Sequence, residues 1–193
     1  MGMRPHRRMD IVCAVSVLIT CTGSVTIYRK GGADVKRDIV LLGNPALYEV
    51  SVPVQKEEIP KLLPVVNDLH DTLMAYRAQH HAGRAVAAPQ IGVQKRLIYF
   101  HVEKPIVFLN PSMVFPDDEM MTVMDDCMSF PHLLVKVQRH KRCTIRYYDL
   151  DWKACSLDLE GDLSELLQHE YDHLDGILAT MRAIDNKSFY YQK

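Results

Sequence analysis

The chain has 193 residues, which suits one domain with room for a tail. It is 48% hydrophobic and 24% charged with a formal net charge of −1: a globular composition that argues against nucleic acid as the main partner. Its five cysteines cannot all pair and form no CxxC or secreted disulfide framework, so a reducing compartment is expected, with thiols serving as core filler or ligands.

Residues 1–37 differ from the rest. Arg4, Arg7, Arg8, Arg29, Lys30, Lys36 and Arg37 stand against only Asp10 and Asp34, around the apolar run "IVCAVSVLIT". That run falls well short of the roughly 20 residues of a bilayer span, so no membrane span is expected. A basic, acid-poor start with a short apolar run reads as a targeting segment, either an organellar transit peptide or a secretory signal. An ordinary first strand and loop is the plainer alternative. Residues 38–193 are read as the folded domain.

"DIVLLGNPAL" is read as a short strand stopped by Gly43-Asn44-Pro45. In "KLLPVVNDLHDTLMAYRAQH", Leu62, Val65, Val66, Leu69, Leu73 and Tyr76 fall at helical spacing, with Pro64 placed in the first turn. His70, His80 and His81 are assigned to its solvated side or end. "RAVAAPQIGV" has no clear period; "RLIYFHV" and "IVFLNP" read as strands. From 133 to 147, apolar Leu133, Val135, Val137, Cys143, Ile145 and Tyr147 alternate with Lys136, Gln138, His140, Arg142, Thr144 and Arg146. That period of two predicts one long strand, with "KVQRHKR" on a solvated face rather than a nucleic-acid patch. "DLDW" predicts a turn, "ACSLDL" a further strand, and Gly161 leads into a last helix. The order of elements predicts an α+β fold with mostly antiparallel pairing, because most connections are too short for parallel crossovers.

The last helix, "LSELLQHEYDHLDG", carries the chemistry. Leu163, Leu166, Leu167, Leu174 and Ile177 form its apolar stripe, and Asp162 or Ser164 could cap it. Positions four apart share a face, so His169 and His173 can hold one divalent metal, with Glu170 beside them as a general base for water. The plainer reading is two surface histidines on an amphipathic helix. A catalytic centre of this type takes three protein ligands and an open position. Asp175 points away from the histidine face, so the third ligand must lie upstream, among Cys127, Cys143, Cys155, His132 and His140. Cys143 and Cys155 share apolar strand faces and read as core residues; Cys127 sits in the loop-like "MDDCMSFP".

Three stretches in order, "GRAVAAPQ" (83–90), "DDCMS" (125–129) and "QHEYDHLDG" (168–176), resemble the GxGxAAxQ, EGCxS and QHExDHLxG motifs of the peptide deformylases. Supporting similarity runs from about residue 38 to 185, including "LNP" and "VQRHKRCTIRYYDLD". The resemblance implies a deformylase-like fold and hydrolysis of the formyl group from N-terminal formyl-methionine of nascent polypeptides. It implies Cys127, His169 and His173 as ligands of one divalent ion, with Fe2+ preferred and Zn2+, Ni2+ or Co2+ possible. Glu170 would be the base, Gln90 and the backbone N–H of Met128 the oxyanion donors, and Gly83, Ala85 and Val86 the substrate-pairing loop. N-formyl-methionyl peptides are the implied partners, met near the ribosome exit region. Formyl-methionine initiation implies a mitochondrion, given the basic extension, with a bacterial cytoplasm as alternative.

Three departures bear on activity. Ala85 replaces a loop glycine and would be strained if that position needed positive φ. Asp125 shortens the glutamate of the cysteine motif, and Asp126 sets a charge where glycine precedes the ligand. Near the helix, Ser164-Glu165 replaces the usual Ala-Arg. These motivate an alternative: a metal-bound relative with little formyl hydrolysis, acting as a peptide-binding module or on another amide. An unrelated zincin protease is disfavoured by the missing downstream ligand, and a purely structural protein would require three coincident motifs.

Overall fold

The computed structural model describes residues 36–192, so the proposed targeting segment lies almost wholly outside the described residues. Two α-helices and eight strands follow in chain order: helix α1 (Ile59–His80), strands β1 (Ala85–Ala87), β2 (Leu97–His101), β3 (Pro105–Val114), β4 (Met120–Asp125), β5 (Leu133–His140), β6 (Arg142–Tyr148) and β7 (Ala154–Glu160), helix α2 (Asp162–Leu174), and strand β8 (Phe189–Tyr191). Every pair of these strands is antiparallel: a five-stranded sheet ordered β1-β2-β3-β6-β7 and a three-stranded sheet ordered β4-β5-β8. This is the α+β, mostly antiparallel architecture expected from the sequence.

Each helix fills one face of the larger sheet. Leu62, Val66, Leu69 and Leu73 of α1 pack with Val86, Leu97, Tyr99, Val107 and Leu109. Leu167 and Leu174 of α2 pack with Ala87, Ile98, Phe108, Cys143, Ile145, Cys155 and Leu157. The partition follows from strand geometry, since successive residues of one strand point to opposite faces. Val86 thus serves one core, and Ala85 and Ala87 the other face.

Several local expectations change. Residues 38–42 form no strand: they are tied by two backbone bonds, Val40 N–H to Gln90 O and Leu42 N–H to Ser129 O, and Leu41 is 55% exposed. The next residues, Pro45–Tyr48, form a 3-10 turn. Pro64 lies inside α1, whose start is further upstream at Ile59 with Pro60 in its first turn. Its missing N–H therefore forfeits one internal helix bond. His70 is buried at 8% exposure, its Nδ1 2.7 Å from Tyr99 Oη, rather than solvated; His80 and His81 are exposed. "AVA" forms β1, its register given by Ala85 opposite Phe100 and Ala87 opposite Ile98.

The long strand is two strands in different sheets, parted at Lys141, whose N–H bonds Glu119 O and whose carbonyl accepts from Gly161. Arg139 stands at an inward position and is buried, so "KVQRHKR" is not wholly a wet face. The N-cap of α2 is Gly161 (φ 63°), without a side-chain cap; the Ser164 hydroxyl instead donates to His140 O. Gln168 Oε1 accepts from His140 N–H at 3.0 Å and its Nε2 donates to His140 O at 2.8 Å, fastening α2 to the break between β5 and β6. "LNP" is explained as well: Asn110 (φ 48°) lies at the β3 bulge, and its amide pairs with both the N–H and the carbonyl of Val54.

Gly176 closes α2 at φ +70°, and a Cβ there would stand 2.5 Å from Tyr48 O. Left-handed strain and a backbone clash each cost of order 1–3 kcal/mol. Gly176→Ala is therefore expected to lose about 3 kcal/mol in urea unfolding; a loss below about 0.5 kcal/mol would show that this junction yields freely.

Candidate metal centre and its pocket

The histidines lie on one face of α2, as their spacing requires, and β4 delivers the third donor. Cys127 follows the end of β4 by two residues, in a turn closed by the Phe130 N–H to Cys127 O bond. Cys127 Sγ is 3.2 Å from His173 Nε2, which is 3.1 Å from His169 Nε2, and the three donor atoms lie within 4.8 Å of one another, all on buried residues. Of the candidate third ligands, Cys127 alone joins the histidines in such a group among the described residues; Cys143 lies in the core behind α2. Ligand bonds of 2.0–2.3 Å at tetrahedral angles require donors about 3.3–3.6 Å apart, so a thiolate and two imidazoles placed this way fit one divalent ion with little adjustment.

The charges around the donors favour the same occupant. Asp125 Oδ1 is 2.6 Å from His169 Nδ1, leaving Nε2 to face the centre. Burial alone would lower His169, but Asp125 and Cys127 outweigh it and hold the imidazole well above its ordinary value. Burial, helped by the neighbouring His169, pushes His173 well below its own, which keeps it a neutral donor. The Asp125 carboxylate buried against the histidines is best balanced by a cation.

A second layer fixes Asp125. Its Oδ2 accepts from Arg139 Nη2 at 2.8 Å; Arg139 also bonds Asp172, whose other oxygen accepts from Arg182 Nη2 at 2.8 Å. Burial would raise the Asp125 carboxyl, but His169 and Arg139 bring it down to about 2. The shorter aspartate thus still reaches the histidine. Arg139 and Asp172 were not among the expected site residues. The signal for Arg139 was a charge at an odd position of an otherwise odd-apolar strand, and Asp172 lies within the HExxH-type turn itself.

Glu170 is 4% exposed, lines the pocket beside the donors and leaves Oε2 without a hydrogen bond. Burial raises its carboxyl to about 7. Gln90 is anchored through Oε1, which accepts from Ala87 N–H at 2.8 Å; its Nε2 makes only long contacts, 3.4 Å to Cys127 Sγ and 3.3 Å to Ser129 Oγ. Met128 is buried, and its backbone N–H has no acceptor among the described residues.

Gly83, Arg84 and Ala85 line the same pocket along the outer edge of β1, whereas Val86 does not; among the described residues β1 pairs only with β2. The positive φ belongs to Gly83 (+107°), held by Arg77 bonds to its carbonyl at 3.0 and 2.8 Å. Ala85 is buried and has ordinary strand geometry, so the feared strain is absent there. Val86 turns its side chain into the core, leaving only its backbone for a ligand. Asp126 needs no left-handed backbone either; it is exposed at the pocket rim. Tyr76, Arg84, Glu165 and Leu166 complete the lining.

The family model described as polypeptide deformylase matches residues 36–189. A peptide deformylase of Treponema pallidum is 35% identical over 152 residues, covering 78% of this chain and 89% of that protein. One of Erythrobacter litoralis is 33% identical over 172 residues, covering 74% of this chain and 86% of that protein. Among solved structures, the Thermotoga maritima peptide deformylase superposes with a TM-score of 0.70 at 28% identity, covering 78% of this chain and 99% of that one. The Synechococcus elongatus enzyme, solved in complex with actinonin, gives 0.73 at 28% identity over 86% of this chain and 90% of that one.

Proposed function

The chain belongs to the polypeptide deformylase family, and from that premise we propose how each residue of this site contributes. The activity is metal-dependent removal of the formyl group from N-terminal formyl-methionine of polypeptides. The observation that carries the assignment of roles is the convergence of Cys127 Sγ, His169 Nε2 and His173 Nε2 beside a buried glutamate with a free oxygen.

Cys127, His169 and His173 hold the ion. When bound, it supplies a Lewis acid that acidifies water and polarises the formyl oxygen. Fe2+ is the proposed ion by family resemblance, and Zn2+, Ni2+ or Co2+ suit the same donors. A thiolate beside iron makes the site sensitive to oxygen. Glu170 takes the proton from water and returns it to the leaving amine. Gln90 Nε2 and Met128 N–H donate to the oxygen that gains charge as the formyl carbon becomes tetrahedral. The open edge of β1 at Gly83, Ala85 and Val86 offers backbone groups to an extended peptide. Asp125, Arg139 and Asp172 orient His169.

The reading as an inactive peptide binder loses one support, since Ala85 is unstrained. A new chain leaving the ribosome exit is the proposed encounter, in a compartment that initiates with formyl-methionine. The named relatives are bacterial, which accords with a bacterial cytoplasm; a mitochondrial site rests on residues 1–37 alone. No helix among the described residues is long and apolar enough to cross a membrane. The test is formate release from formyl-Met-Ala-Ser by anaerobic, iron-loaded protein, with the internal peptide bonds left intact. Cleavage of an internal bond, or no formate from protein holding one ion per chain, contradicts the proposal.

A further inference from the structure

Arg77, in the last turn of α1, clamps the loop that leads into β1. Its Nε and Nη2 donate to the Gly83 carbonyl at 3.0 and 2.8 Å, and Nη2 also donates to the His101 carbonyl at 2.5 Å. One side chain therefore joins the end of the helix, the loop before β1 and the last residue of β2. The connection is short. His81 (φ 55°) ends α1 with its N–H on Arg77 O, and only Ala82 separates it from Gly83. Gly83 itself is closely packed: a Cβ there would stand 3.2 Å from Leu73 Cδ1 and 3.3 Å from Tyr76 Cδ1.

The clamp sets the direction of the backbone groups that follow. The carbonyl and N–H of one peptide unit point opposite ways because the unit is planar. His101 N–H donates to Arg84 O at 2.8 Å, which turns the Arg84 carbonyl toward β2 and the Ala85 N–H toward the open edge. The preceding unit is pinned by Arg77 through the Gly83 carbonyl. Both peptide units flanking Arg84 are thus fixed, one by α1 and one by β2. Arg77 is not among the residues lining the pocket, whereas Gly83, Arg84 and Ala85 are. It can reach a ligand only through this loop.

We propose that Arg77 is a positioning residue for the peptide substrate: it holds the Gly83–Ala85 backbone in pairing geometry before the peptide arrives. A free loop would have to be ordered on binding, and that ordering subtracts from affinity. The inference rests on the deformylase reading for the edge along which the peptide lies. It concerns the peptide alone, since Arg77 touches none of the three donors.

The test is calorimetric affinity of the zinc-loaded protein for two probes with one metal-binding group. Acetohydroxamate reaches only the ion, whereas a tripeptide hydroxamate also lies along β1. Arg77→Met is expected to weaken the tripeptide probe about tenfold, leaving acetohydroxamate affinity and one zinc per chain unchanged. Arg77→Lys, which keeps the charge but lacks the forked donors, is expected to lose about threefold, and it carries the test if Arg77→Met does not fold. In formate release, Arg77→Met should raise KM about tenfold and leave kcat within about threefold. Unchanged tripeptide affinity in the folded variants, an equal loss for both probes, or a fall in kcat alone would overturn the proposal. Formate separates the two claims. A loss confined to the tripeptide probe, in protein that releases no formate, would sink the reaction and leave the clamp standing; formate release with an equal loss for both probes would do the reverse.

Discussion

Glu170→Gln is expected to lower kcat for formyl-Met-Ala-Ser by roughly 10²- to 10⁴-fold while leaving one metal ion per chain. The amide keeps the volume of the carboxylate at a site only 4% exposed, so packing changes little. What disappears is the proton acceptor, because Oε2 is the one buried carboxylate oxygen in this lining that no protein group engages. The metal should stay, since the three clustered donors come from Cys127, His169 and His173 and none from Glu170. Steady-state formate release together with metal analysis checks both halves. A change below tenfold would remove Glu170 as the base, whereas loss of the metal would make it part of the binding site.

Arg139→Met should produce the largest loss of stability. Arg139 is 4% exposed and bridges Asp125 and Asp172, which are themselves buried. Methionine fills much of the same space but leaves Asp125 without its cationic partner and Asp172 with only the half-exposed Arg182. Breaking a buried ionic network from one side typically costs 3–5 kcal/mol. Urea unfolding of the metal-free protein reads this directly, and metal competition should show affinity reduced roughly 10–100-fold through loss of orientation at His169. A loss under 1 kcal/mol with unchanged metal affinity would mean that Asp125 is held by its backbone alone.

These two residues mark where the sequence was legible and where it was not. The helix with His169, Glu170 and His173 could be read locally because a four-residue spacing fixes a shared face whatever surrounds it. The alternation from Leu133 to Tyr147 gave the pleat correctly but not the change of sheet at Lys141, because period two continues across a joint between strands. Arg139 was hidden for a related reason: its charge is satisfied by Asp125 and Asp172, brought to it only by the packing of β4 and α2. His70 was placed in solvent because nothing local announces Tyr99 across the core. Cys127 was weak on local grounds; only the turn after β4 brings it to the histidines.

The altered motif positions divide in the same way. Ala85 looked costly because glycine was assumed to serve the backbone there, yet the left-handed residue of the loop is Gly83, which is retained; Asp126 was marked for its charge, which stands exposed at the pocket rim. Asp125 does at 2.6 Å what a longer carboxylate would do, given that β4 carries it close to His169.

The most direct measurement titrates Fe2+ anaerobically into metal-free protein while formate release from formyl-Met-Ala-Ser is recorded. The account predicts that activity rises with bound metal, saturates at one ion per chain, and is absent from Cys127→Ala at the same metal concentrations. Saturation at one ion without formate, or formate released equally by Cys127→Ala, would contradict it.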